Sequence, residues 1–149
     1  LSAERMTCDL TLFLKGDALD PHLLTDLLGV QPTKAHAKGR VWTTSAGTEV
    51  TDRNGLWMLS LTGGLSDVSS LILRLHAIIE KSCRPVLQLP GVSEAFIDFL
   101  VMVPALPSGG ADCHLAINHS SVVALGELGL PVEISFSALA TSVTQRNKT

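Results

Sequence analysis

The run Ser93 to Val103 (SEAFIDFLVMV) constrains the fold more than any other stretch of the chain. Side chains alternate across an extended backbone, so Ala95, Ile97, Phe99, Val101 and Val103 share one face, and Phe96, Asp98, Leu100 and Met102 share the other. Both faces are apolar apart from Asp98. Such a strand belongs inside a sheet, central or covered on both sides. The remainder of the chain must therefore supply neighbouring strands and helices to cover them.

Thr7 to Lys15 (TCDLTLFLK) has a period of two, with Cys8, Leu10, Leu12 and Leu14 on one face, which predicts a half-buried strand. Asp20-Pro21 opens a helix whose stripe is Leu23, Leu24, Leu27 and Leu28, and Gly29 stops it. Lys38 to Thr44 and Leu56 to Leu61 predict two strands. The polar loop Ser45 to Gly55 lies between them, and Asp52-Arg53-Asn54-Gly55 supplies its turn chemistry, so the simplest pairing is a hairpin. Ser66 heads the longest helix, which runs to about Cys83 with Val68, Leu71, Ile72, Leu75, Ile78 and Ile79 as one apolar face, before Pro85. Asp112 to Asn118 predicts a strand in a hairpin with Ser93 to Val103. A short helix from Ser121 to Leu128 ends at Gly129, and Pro131 to Ala138 alternates with Val132, Ile134, Phe136 and Ala138 inward. A polar tail follows from Thr141.

This order predicts an α+β fold: a mostly antiparallel or mixed sheet of about six strands with one long and two short helices. Its 149 residues fit a single domain with a core from about 7 to 138. LLTDLLGVQP (Leu23 to Pro32) and LGELGLP (Leu125 to Pro131) echo one another, as pseudo-duplicated halves would, although Leu-Gly is also a common helix stop and that is the favoured reading.

Net charge is −3, the eleven Lys and Arg are scattered, and aromatic residues are 4% with no Tyr. Neither the basic footprint nor the stacking platform for nucleic acid is present. No apolar run approaches the ~18 residues of a membrane span, so no membrane partner is expected. Cys8, Cys83 and Cys113 are few, odd in number and far apart, and Leu1 to Thr7 lack a signal peptide's apolar core; a reducing, cytoplasmic location is expected.

Site signals are weak. Cys113, His114 and His119 come nearest to a metal set, but adjacent strand positions point to opposite faces. No metal, cofactor or catalytic residue is assigned, and His22 and His76 read as structural. Asp98 interrupts an apolar strand face. It is either an acid or base facing a cleft or, more commonly, an Asp meeting solvent, an amide or an Arg. Lys38 and Arg40, placed across the expected hairpin from Trp57, could receive an anionic small molecule or a peptide carboxylate; the plainer reading is a core Trp with solvated basic neighbours.

The string GDALDPHLLTDLLGVQPT (Gly16 to Thr33), then Lys38-Gly39, then Gly55-Leu56-Trp57, with Leu125 to Phe136 at the far end, resembles the bacterial family catalogued as domain of unknown function 4279. The resemblance spans about Cys8 to Phe136. It implies an α+β domain of this length and carries no activity. The leading functional expectation is a non-catalytic interaction module. It would bind a protein partner or a second copy of itself through apolar sheet surface, with Ile97, Phe99 and Val101 at the interface. The alternative is a small-molecule binder or an enzyme using a cleft beside Lys38, Arg40, Trp57 and Asp98.

Overall fold

Strand β1 (Thr7–Gly16) is the spine of the fold, and its alternation does what the sequence predicts: Cys8, Leu10, Leu12 and Leu14 are fully buried on one face. The computed structural model describes residues 6–140, so the polar tail from Thr141 lies outside the described residues. Helix α1 (Pro21–Leu28) starts where expected. The Asp20 carboxylate accepts from the amides of His22 and Leu23, at 3.0 and 3.3 Å, and Pro21 occupies the first helical position. Gly29 ends α1 at φ 65°, a left-handed conformation that glycine adopts without a Cβ penalty.

The chain continues through β2 (Lys34–His36), β3 (Val41–Thr43), β4 (Glu49–Thr51) and β5 (Gly55–Gly64), then α2 (Val68–Glu80), β6 (Glu94–Pro104), α3 (His119–Leu128) and β7 (Val132–Leu139). Five strands form one mixed sheet in the order β2-β5-β1-β6-β7, and β3 pairs only with β4 in a separate two-stranded arm. β1 is antiparallel to both β5 and β6, while β7 runs parallel to β6. β1 and β2 thus flank β5, and β5 and β6 flank β1. These are two interlocked split βαβ units, a βαββαβ arrangement to which α3 and β7 are appended.

One row of side chains crosses the sheet per register step: Leu61, Leu10, Phe99; then Leu59, Leu12, Ile97; then Trp57, Leu14, Ala95. All are buried and join Leu24 and Leu28 of α1 and Leu71, Ile72, Leu75, Ile78 and Ile79 of α2 in one core. Each fully buried Leu, Ile or Phe contributes about 1.5–3 kcal/mol of transfer free energy. At one end the sheet closes through glycines. A Cβ on Gly16 would stand 1.9 Å from the Gly91 carbonyl oxygen, and one on Gly91, at φ 76°, would meet the Ala18 oxygen at 2.4 Å.

Four expectations need correction. The partner of β5 at the sheet edge is β2, not the Lys38 to Thr44 segment; that segment contributes only β3, which turns back on β4 inside the expected polar loop. Strand β5 runs on through Gly63 and Gly64, past the expected end at Leu61. Asp112 to Asn118 is not a strand. Cys113, Leu115 and Ile117 alternate and pack on the core, but the place beside β6 is taken by β7, delivered through α3. Finally, Val132, Ile134, Phe136 and Ala138 do lie on the helix side of the sheet, yet every residue of β7 is exposed, because the helices cover the inner strands and β7 lies beyond them at the edge.

Candidate functional site

Asp52 sits where the two-stranded arm leaves the sheet. Its carboxylate accepts from Arg40 Nε at 2.7 Å and from Trp42 Nε1 at 3.1 Å. His36 Nδ1 approaches it to 3.3 Å without hydrogen-bond alignment. Backbone bonds from Gly39 N–H to the Asp52 oxygen and from Asp52 N–H to the Arg40 oxygen close the same junction. Desolvation of the carboxyl pushes its pKa up, but hydrogen bonds from Arg40 and Trp42 and the charges of His36 and Arg40 outweigh this and hold it below its ordinary value. A carboxylate so fully engaged is a clasp and not a free base. Beside it Lys15, His36, Arg53 and Leu56 line a cleft of about 220 Å³.

The four residues expected around an anionic ligand do not converge. Trp57 is fully buried on the helix side and donates Nε1–H to Thr25 Oγ1 at 3.1 Å. Lys38 is exposed and pairs with Asp17 at 2.9 Å, and Arg40 is held by Asp52. Asp98 lies on the opposite face of the sheet from Trp57, between Thr11 and Glu133 in register. The aromatic beside Arg40 is Trp42. The DRNG turn signal pointed at Asp52 as loop chemistry, but nothing local announced that it would gather His36, Arg40 and Trp42.

The expected interface face is likewise reversed. Ile97, Phe99 and Val101 have no exposed surface and form the core under the helices, so none can touch a partner in the folded chain. The other face of β6 carries no helix among the described residues. On it Phe96 stacks on Phe13, with centroids 4.7 Å apart and planes at 12°, Lys15 Nζ lies 5.1 Å from the Phe96 centroid, and Thr11 and Ser60 hydroxyls meet at 2.6 Å. Among the described residues the strand is covered on one side only, by helices.

β7 is the outstanding surface. Val132, Ile134 and Phe136 are 42, 48 and 62% exposed, and α3 and β7 together hold six of the thirteen exposed large apolar residues of the described chain. Pro131 and Leu139 accept from Ile97 and Ala105 amides, both at 2.9 Å. Odd-numbered residues of β7 therefore turn their backbone groups toward β6, and residues 132, 134, 136 and 138 turn theirs outward, where no strand among the described residues meets them.

A second region lies at the C-terminal ends of α2 and α3. His76 Nε2 is 2.6 Å from Glu127 Oε2 and 3.7 Å from Glu80 Oε1. These groups open on a cleft of about 550 Å³ that Cys83, Arg84 and Val86 also line. Reading His76 as structural missed this, because its second carboxylate comes from a helix 51 residues away.

Fold and surfaces define an α+β sheet domain of split βαβ topology with one long edge that no strand among the described residues covers. The chain belongs to the family described as Domain of unknown function (DUF4279), whose model matches residues 6–136 and so takes in α3 and most of β7. No curated protein and no solved structure matches it. No helix among the described residues is long and apolar enough to cross a membrane.

Proposed function

We propose that the chain is a protein-interaction module whose partner is a second copy of itself, joined edge to edge through β7. The observation that carries this reading is the edge of β7, which no strand among the described residues covers. Natural edge strands are usually short, kinked by bulges or Pro, or studded with charge, because a free ladder recruits other strands. β7 pairs with β6 over all eight of its residues without a bulge, and its one charged residue is Glu133.

Self-pairing is favoured by the pattern. With two copies antiparallel and Ser135 on the two-fold axis, Ile134 faces Phe136 of the second copy and Val132 faces Ala138. All four are outward-directed, so each pair exchanges two backbone hydrogen bonds. Glu133 faces Ser137, and no like charges are opposed. The other sheet edge, β2, has three residues and carries Lys34 and His36, so assembly closes at a dimer instead of growing into a filament. The rival reading, an anion binder beside Lys38 and Trp57, requires side chains that converge.

Ile134→Pro tests the proposal directly. It removes an outward N–H and leaves the ladder to β6 intact. Wild-type chain should sediment as a dimer and the variant as a folded monomer. A wild type that stays monomeric, or a variant that dimerises equally well, sinks the reading. Pairing with an unrelated extended peptide instead of with itself would appear as a heterocomplex and would also count against it.

A further inference from the structure

We propose that His76, Glu80 and Glu127 form a binding site for a divalent transition-metal ion, with Zn²⁺ the best fit, open on one side to the cleft between α2 and α3. The three donors, one imidazole nitrogen and two carboxylate oxygens, all lie within 4.8 Å of one another. That mixed set suits Zn²⁺ and its neighbours better than Mg²⁺ or Ca²⁺, which favour oxygen alone. Ligands about 2.0–2.2 Å from a tetrahedral ion stand roughly 3.4 Å apart. The observed 2.6 and 3.7 Å separations straddle that value, so an ion seated among the three donors needs only small side-chain rotations.

Two further observations point to a cation. The carboxylates stand at the wrong ends of their helices: Glu80 is the last residue of α2 and Glu127 the penultimate residue of α3, where the helix dipole is negative and disfavours anions. No Lys or Arg forms an ion pair with either among the described residues, so His76 is their sole cationic partner, and only when protonated. The scaffold is also firm. His76 and Glu80 are one turn apart on α2. The far end of α3 is tied to α2 by the Asn118 amide on Ser69 Oγ at 2.9 Å and by Ser121 Oγ on the Ser69 carbonyl at 2.8 Å. His76 is only 16% exposed, which restricts its ring to the wall of the cleft.

The test is calorimetric titration of chelator-treated full chain with Zn²⁺, repeated with Co²⁺ to read the visible spectrum of the ligand field. Wild type should bind one equivalent. Glu127→Gln and Glu80→Gln should each weaken binding by more than about tenfold, since even outer partners of metal ligands are worth that much. Both positions are more than half exposed, so these variants should keep the wild-type circular dichroism, and any lost affinity reports a lost ligand. Cys83→Ser should bind as wild type does. The proposal is overturned if wild type takes up no Zn²⁺, if the Gln variants match it, or if Cys83→Ser alone abolishes binding and so assigns the ion to the thiol.

Discussion

Phe136→Ser separates the edge-pairing proposal from ordinary core packing. Phe136 is 62% exposed in the single chain, so most of its apolar surface remains to be removed from water by a partner. Full burial of a Phe is worth about 2.5 kcal/mol, and 62% of that is about 1.5 kcal/mol. A two-fold dimer buries the residue twice, giving about 3 kcal/mol in all. At about 1.4 kcal/mol per factor of ten, Phe136→Ser should raise the dimer dissociation constant about a hundredfold. The same change should shift the stability of the dilute monomer by less than about 1 kcal/mol, because a mostly exposed side chain contributes little to its own fold. Sedimentation equilibrium over a wide loading range reads the first quantity, and urea unfolding at low concentration reads the second. An unchanged dissociation constant, or a large monomer destabilisation with no change in association, would refute the reasoning.

Phe99→Ala, on the buried face of β6, should cost about 3–5 kcal/mol in urea unfolding regardless of protein concentration; a small or concentration-dependent loss would return Phe99 to an interface. Gly91→Ala should destabilise by at least about 2 kcal/mol, since positive φ and the Ala18 oxygen at 2.4 Å both oppose a Cβ, whereas Gly47→Ala, with nothing within 4 Å, should cost only about 1 kcal/mol; equal losses would contradict the close approach. Burial, with lesser contributions from Asp9 and Asp98, pushes the Cys8 thiol up to about 11, so at pH 8 a thiol reagent should modify exposed Cys83 and leave Cys8 untouched until the chain unfolds, as peptide mapping would show. The folded Asp52 carboxyl titrates below its unfolded value, so the clasp is fully formed above about pH 4 and is lost as pH falls through the lower folded value. In a Trp57→Phe background the Trp42 emission should report that loss, and Asp52→Asn should abolish the step.

How much was legible in the sequence depended on how local the cause was. The caps of α1 were readable because Asp20, Pro21 and Gly29 act within a few residues of themselves. The alternation of β1 and β6 identified their faces correctly, since side-chain period is a property of the strand alone. Pairing was less accessible. β2 is three residues of Lys-Ala-His without a strand signature, and only its register with Trp57 makes it an edge. The inward reading of β7 failed for a related reason: alternation says which side a residue faces, but not whether a helix reaches that far. Of the site residues, Arg40 is expected across a hairpin from Trp57, whereas it shares the Asp52 carboxylate with Trp42, a pairing that depends on how the two-stranded arm folds back. The trio around His76 was invisible, because Glu127 joins it only through the packing of α3 on α2.

Both proposed sites trace to the same structural event. The βαββαβ unit already covers its inner strands with α1 and α2, and its sheet would end at β6. Appending α3 and β7 changes the molecule in two places. It moves the edge outward past the reach of the helices, exposing an apolar strand that a second copy can cover, and it brings Glu127 against His76 at the foot of α2. An extension that merely protected β6 would need no exposed Phe136, and a helix that merely bridged β6 to β7 would need no carboxylate at its negative end. A chain ending before α3 would lack both features, and because the two depend on different residues, Phe136→Ser and Glu127→Gln should each weaken one and spare the other. Loss of Zn²⁺ binding in Phe136→Ser, or of dimerisation in Glu127→Gln, would show instead that a single coupled site links the edge to the cleft.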